Sequence, residues 1–422
     1  MTFASAKSGR SRLAVLFALL LVVGLVVAAC GGDDDDAAPS EPAAAEPAPA
    51  EEPAPAEASS DEPLIIGAPI ALSGGVSFYD QPILNSLLLA VDEINAEGGI
   101  LGRQVEVVTA DQATDPAQSG TAAEQTVEAG AEVMLVACDF DQAQGAARVA
   151  TDNNLVSIHC AGGELAGVNG LGGLHFNVYP SSVPEGGALA QYALDQGWND
   201  VFILEDTLIA YNTDLCKFFE TSFEGGGGTI VGKEQFVQDD ASISNQVSAM
   251  QQADPDAVVI CSFLPGGGAA IKQVRDVSDV PILTGIAHDG TFWIEGINNP
   301  SNIFVATLAD PTGNDEDPSR NEFFAKYEDK YGEQAPHGIA MQGYQIAYIL
   351  RDAIEAAGTT EGTALAKQLE TFTNEIYLGD SFTFTADCHI SLRPMTVVQI
   401  QDGVLSFAAK PEPEVLYEPA PC

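Results

Sequence analysis

The apolar positions early in the chain change period twice. Residues 64–72 form a nearly unbroken apolar run of strand length, and Ser73-Gly74-Gly75 ends it. Ile83, Leu84, Leu87, Leu88, Val91 and Ile94 then recur at the spacing of one helix face. Gly98-Gly99 stops that helix, because glycine takes the left-handed conformation beyond a last turn cheaply. Residues 104–110 read as a second strand, closing at Asp111. This is a βαβ unit, which predicts parallel strands and a right-handed crossover. In such sheets a ligand sits beyond the carboxyl ends of the strands. Residues 73–79 and 111–115 lie at that end.

The alternation continues along the chain. The pattern predicts helices over 116–130, 142–153, 212–223, 243–252, 269–277, 322–331 and 338–357, with one more marked by Leu365 and Leu369. It predicts strands over 132–137, 155–158, 175–179, 201–204, 229–237, 256–263, 281–285, 302–309, 379–385 and 394–400, with Asp402-Gly403 as a hairpin turn. Helix and strand in regular alternation imply an α/β fold. The elements fall into two similar sets, so the expected architecture is two doubly wound parallel-sheet lobes joined by three crossings, with a cleft between them. One lobe is expected to take residues 64–180 and 310–378, the other 181–309 and 379–410, with 411–422 as a tail.

The first thirty residues stand apart. Lys7, Arg10 and Arg12 precede an apolar run over 13–27, and Val27-Ala28-Ala29-Cys30 follows. This is a secretory signal of lipoprotein type, too short for a membrane span. It resembles the bacterial lipobox, which makes Cys30 the acylated first residue of the mature chain. Residues 31–63 hold four aspartates and a Pro/Ala/Glu-rich stretch without aromatic residues, so they are expected to be a disordered tether. The protein is therefore expected on the extracytoplasmic face of the cell membrane, anchored by lipid.

Charge and chemistry narrow the function. With 61 acidic and 16 basic side chains the formal net charge is −45, which excludes phosphate-backbone binding of nucleic acid. No Gly-x-Ser-x-Gly elbow, His-Glu-x-x-His or Cys-x-x-Cys occurs, and the five histidines show no ligand spacing. Four glycines at 225–228 lack the Gly-Lys-Ser/Thr of a phosphate loop. Neither an enzyme, a metal site nor a cofactor is expected. Cys30 aside, six cysteines allow fifteen disulfide connectivities. Their positions suggest Cys138–Cys160, Cys216–Cys261 and Cys388–Cys422.

The segments PIALSG, VDEINAEGGILGR, D-x-x-x-D-P and DPDAVVI carry a family resemblance. The chain resembles the periplasmic binding proteins for branched-chain amino acids, over about residues 64–407. The resemblance implies a type I, Venus-flytrap fold that captures a small solute and delivers it to the permease subunits of an ABC importer, as a monomer. A ligand sensor signalling to a membrane partner is the alternative. The resemblance also implies ligand contacts. Tyr79 matches the aromatic residue after the first Ser-Gly turn. Gln142 falls where the family has a carboxylate-binding serine, near Asp139 and Asp141. Ala161, Gly162 and Gly163 fall on the loop that gives backbone carbonyls and a threonine. Tyr211 and Phe263 match two aromatic positions of the second lobe, and Asp289 the acid that pairs with the ligand ammonium. Both hydroxyls that would hold a carboxylate are missing. The expected ligand is thus an amino acid, amide or amine, with a neutral or cationic solute favoured over leucine.

Overall fold

The computed structural model describes residues 62–414, except 163–167, 169, 239 and 241. The expected signal, Cys30, the tether as far as residue 61 and the last eight residues with Cys422 lie outside the described residues.

The first sheet has the strand order β2-β1-β3-β4-β5, all parallel. Its strands are β1 (Leu64–Ile70), β2 (Val105–Asp111), β3 (Val133–Leu135), β4 (Val156–His159) and β5 (His175–Asn177). β1 lies inside the sheet with helices over both faces, which is why its sequence is apolar rather than alternating. The first helix, α1 (Ser77–Ala96), buries Ile83, Leu84, Leu87, Val91 and Ile94 against it. Leu88, expected on that face, is only half-buried. A Cβ at Gly99 would meet the Arg103 carbonyl oxygen at 1.8 Å, so only glycine closes this turn. Helices α2 (Ser119–Glu128) and α3 (Phe140–Asp152) complete the alternation.

The second sheet runs β14-β13-β10-β9-β8-β6-β7. Its parallel part is β6 (Asp200–Asp206), β7 (Thr229–Phe236), β8 (Ala257–Cys261), β9 (Ile282–Thr284) and β10 (Ile303–Thr307). β13 (Thr396–Gln401) and β14 (Val404–Ala409) add antiparallel at one edge. Asp402 and Gly403 both take positive φ in their hairpin, the geometry a two-residue turn requires. Helices α4 (Ser182–Asp195), α5 (Ala210–Gly225), α6 (Ser244–Ala253) and α7 (Gly266–Arg275) flank this sheet. α4 escapes the apolar pattern because Pro184, Gly186 and Gly187 lower its helical propensity. Gly186 exists for packing: a Cβ there would stand 2.5 Å from the Phe219 nitrogen of α5.

Helices α8 (Pro318–Tyr331), α9 (Met341–Ala357) and α10 (Gly362–Leu369) return to the first lobe, where α9 packs on α1. Asp317 caps α8 and Pro318 opens it. One expectation is corrected. Residues 379–385 do not form a strand of the second lobe. Asp380–Phe382 (β12) pairs instead with Glu375–Tyr377 (β11) in a small hairpin against α9, and Ile390 bridges to Asn177 of β5. The cause is charge: buried Arg320 of α8 holds Asp380 at 2.7 Å and Asp315 at 3.4 Å, and Arg393 meets Asp380 at 3.3 Å. The chain joins the second sheet only at Thr396.

Cys138 bonds Cys160 and Cys216 bonds Cys261, as their positions suggest. Cys388 is disulfide-bonded too; the cysteine expected opposite it, Cys422, lies outside the described residues.

Candidate functional site

Strand order turns over between β1 and β3 in the first sheet and between β6 and β8 in the second. These are the switch points at which loops part to leave a crevice. A cavity of about 100 Å³ lies there, between the lobes.

The first-lobe wall is built on backbone amides. Asp80, in the first turn of α1, is fully enclosed and accepts the Ala71 N–H at 2.8 Å and the Cys138 N–H at 3.0 Å. It thereby ties the end of β1 to the end of β3. Burial pushes its carboxyl up to about 6 despite both bonds. Asp139 caps α3, its Oδ1 accepting the Gln142 N–H at 3.2 Å, and also lines the cavity. Burial first, and then the Asp141 carboxylate, push it up to about 7. Asp141 lines the cavity as well; burial raises its pKa, and Asp214 of the second lobe raises it further. Gln142 presents a buried Oε1 with no hydrogen-bond partner. Ala161 and Gly162 close this side, and Asn177 holds the Gly162 carbonyl at 2.8 Å.

The second-lobe wall is aromatic and aliphatic: Tyr211 and Phe263, with Ile209, Ile286 and Ala287. Across the opening, the Tyr79 hydroxyl donates to the Ala287 carbonyl, and the Phe78 ring stands 4.4 Å from Phe292. The lobes therefore meet over the cavity.

The structure brings together Tyr79, Asp141, Gln142, Ala161, Gly162, Tyr211 and Phe263 around one cavity. Gly163 lies outside the described residues. Asp289 is not on the wall. It is fully buried, and its Oδ2 accepts the Thr307 hydroxyl at 2.5 Å and the Ile339 N–H at 3.1 Å. Through Oδ2 it ties the second lobe to the turn before α9, while its buried Oδ1 has no hydrogen-bond partner. His288 beside it is a core residue, its Nδ1 2.9 Å from the Thr284 hydroxyl, and burial pushes it down to about 3. Two residues that matter were missed: Asp80, which lines the cavity, and Glu185, which stands behind Tyr211; Asp139, noted beside Gln142, lines the cavity too. An acid in the first turn of an apolar helix could have signalled Asp80; Glu185 had no such signal, because its helix was hidden.

The comparisons agree with this architecture. The family model described as "Periplasmic binding protein" matches residues 63–404. The Leu/Ile/Val-binding protein BraC3 of Rhizobium johnstonii is 23% identical over 334 residues, covering 76% of this chain and 89% of that protein. A leucine-, isoleucine-, valine-, threonine- and alanine-binding protein of Pseudomonas aeruginosa is 21% identical, covering 73% and 82%. In structure, the branched-chain amino acid transporter substrate-binding protein LivJ of Streptococcus pneumoniae, in complex with isoleucine, superposes with a TM-score of 0.73 at 22% identity, covering 83% of this chain and all of that one. The leucine-binding protein LivK of Thermotoga maritima gives 0.72 at 22% identity, covering 83% and 99%. With its two-lobed type I fold, its interlobe cavity and a family match over most of its length, this chain belongs to the periplasmic binding proteins, extracytoplasmic proteins that bind solutes and are not enzymes.

Proposed function

We propose that this protein is a lipid-anchored, monomeric solute-binding protein that captures a small amphiphilic amine or amide and hands it to the permease of an ABC importer. One observation carries the choice of ligand. The charged side chains lining the cavity, Asp80, Asp139 and Asp141, are all acidic and all on the first lobe. A carboxylate placed there would be repelled in a site of low dielectric. An N–H group is attracted, and the unpartnered Gln142 Oε1 offers it a further acceptor. The aromatic second-lobe wall suits an apolar tail, and Tyr79, Tyr211 and Phe263 can face a cation with their rings. The relatives named for leucine, isoleucine and valine support a tail of that size. Family membership supports delivery to an importer, and the sequence around Cys30 supports lipid anchoring.

The test is a thermal-shift screen of the mature chain with isopentylamine, 4-methylpentanamide, leucine and isovalerate. A ligand at 100 times its dissociation constant stabilises by about 2.7 kcal/mol, an easily read shift. The amine and the amide are expected to bind and isovalerate is not. Tightest binding by leucine would overturn the assignment. Loss of labelled-lipid incorporation in Cys30→Ala checks the anchor.

A further inference from the structure

Behind Tyr211 lies an acid that touches no part of the cavity. Glu185 of α4 is fully buried. Its Oε1 accepts two bonds, from the Ile286 N–H at 2.7 Å and from the Tyr211 hydroxyl at 2.8 Å. The contact needs Gly285, where a Cβ would stand 2.2 Å from Oε1 and 2.4 Å from the Tyr211 oxygen. The backbone N–H can only donate, so Oε1 is an acceptor oxygen. A proton on Glu185, when present, then resides on Oε2. The single proton of Tyr211 is therefore committed to Glu185 in either state. Tyr211 lines the cavity, and its oxygen also accepts the Ala287 N–H at a long 3.5 Å.

We infer that Glu185 is a specificity-determining residue: by holding the proton of Tyr211 it turns that hydroxyl into an acceptor facing the cleft, which selects a solute with an N–H donor on the second-lobe side as well as the first. This rests on the reading of the cleft as a solute site. It makes Glu185 a positioning residue, acting through Tyr211.

Two measurements on the mature chain test it. The first needs no ligand. Proton NMR should show a slowly exchanging tyrosine hydroxyl, assigned by its loss in Tyr211→Phe, with a cross-peak to the Ile286 amide proton, since both protons point at Oε1. The resonance should persist in Glu185→Gln, which keeps the acceptor oxygen, and vanish in Glu185→Ala. A Tyr211 hydroxyl without the Ile286 cross-peak, or one unchanged in Glu185→Ala, would overturn the inference. The second compares isopentylamine with 4-methyl-2-pentanone, a neutral acceptor lacking N–H. The ratio of their affinities should fall about tenfold in Glu185→Ala, hold within about twofold in Glu185→Gln, and be insensitive to Glu185→Ala once Tyr211 is phenylalanine. A ratio unmoved by Glu185→Ala, or moved equally without the Tyr211 hydroxyl, would reduce Glu185 to a packing role. If neither probe binds the wild type, it is the functional reading that fails, and the hydroxyl spectrum still decides this one.

Discussion

Replacing Asp139 with asparagine separates charge from structure in the cleft. Asp139 caps α3 with its side chain, and asparagine caps a helix about as well as aspartate. The helix should therefore stand, and only the charge is lost. Two unit charges 4 Å apart attract by about 4 kcal/mol at an effective dielectric of 20. That figure omits the water an ammonium sheds on entering the cavity. Hydrogen bonds to charged groups contribute about 1.5–3 kcal/mol net, and this lower range governs. The loss for isopentylamine is then roughly 10- to 100-fold in affinity. Neutral 4-methylpentanamide should lose no more than about threefold, because asparagine still offers it an acceptor oxygen. The unliganded variant should also melt no lower than wild type at pH 8. Folding raises this carboxyl to about 7, so above that pH the native state carries a buried charge that it disfavours. Titration calorimetry with both probes reads the outcome. An amine affinity that is unchanged, or an amide affinity that falls in step with it, would show that Asp139 is a cap and nothing more.

Four enclosed acids make stability fall as pH rises. Folding raises Asp80 and Asp289 to about 6 and Asp139 and Glu185 to about 7. The native state keeps protons that the unfolded chain has already released, so stability is present at about pH 4 and is lost as pH rises towards 7. Buried His159, His175, His288 and His337 are pushed down by burial and act the opposite way below about pH 6.5. The acids are therefore read by difference: in calorimetric scans the Tm of Asp139→Asn relative to wild type should rise from pH 5 to pH 8, and a difference that falls would contradict these shifts. Tyr79→Phe removes the hydroxyl that reaches Ala287 on the other lobe and should weaken the amine and the amide equally, by about 2- to 10-fold. Unequal loss would mean that Tyr79 reads the ligand rather than the closure. Serine at both Cys138 and Cys160 opens a loop spanning 22 residues. The cost is about 3 kcal/mol by chain entropy, to be read from urea unfolding, and a negligible change would place the stability of this loop in Asp80 instead.

The parallel strands, α1 and the glycine turn were legible because burial on both faces and helical burial each leave a distinct period in the apolar residues. The disulfides were legible because the cysteines of each pair fell on elements brought side by side, Cys138 and Cys160 just past β3 and β4, Cys216 within α5 and Cys261 at the end of β8. What stayed hidden was set by contacts distant in sequence. Asp289 looked like a ligand acid from its place after β9, but Thr307 and the amide of Ile339 claim its oxygen. Residues 379–385 looked like a strand of the second lobe, but Arg320, some sixty residues earlier, holds Asp380 in the first. Helix α4 was masked by the very glycines that let it press against α5, and Glu185 was lost with it. Asp139 was legible only as a neighbour of Gln142, and the fold makes it both cap α3 and line the cavity.

These placements join ligand charge to closure. The lobes are held together by the Tyr79 hydroxyl on Ala287 and by the packing of Phe78 on Phe292. Their approach is resisted by acids. Asp141 of the first lobe is raised by burial and by Asp214 of the second, and Asp139 by burial and by Asp141. A ligand shifts a conformational equilibrium only as far as it interacts differently with the two states. A cation in the cavity does so twice, once through its own contacts and once by relieving the repulsion between these carboxylates. An anion adds to that repulsion. An amino acid brings both charges, and here the carboxylates on the cavity wall that could meet its ammonium are all on the first lobe, while Asp289 of the second lies off the wall with its Oδ2 bound to Thr307 and Ile339. Its carboxylate would then face the second-lobe wall, where Glu185 keeps the Tyr211 hydroxyl from donating. An amine or amide with an apolar tail would satisfy both walls at once, which is the basis on which we propose it as the ligand that closes this cleft.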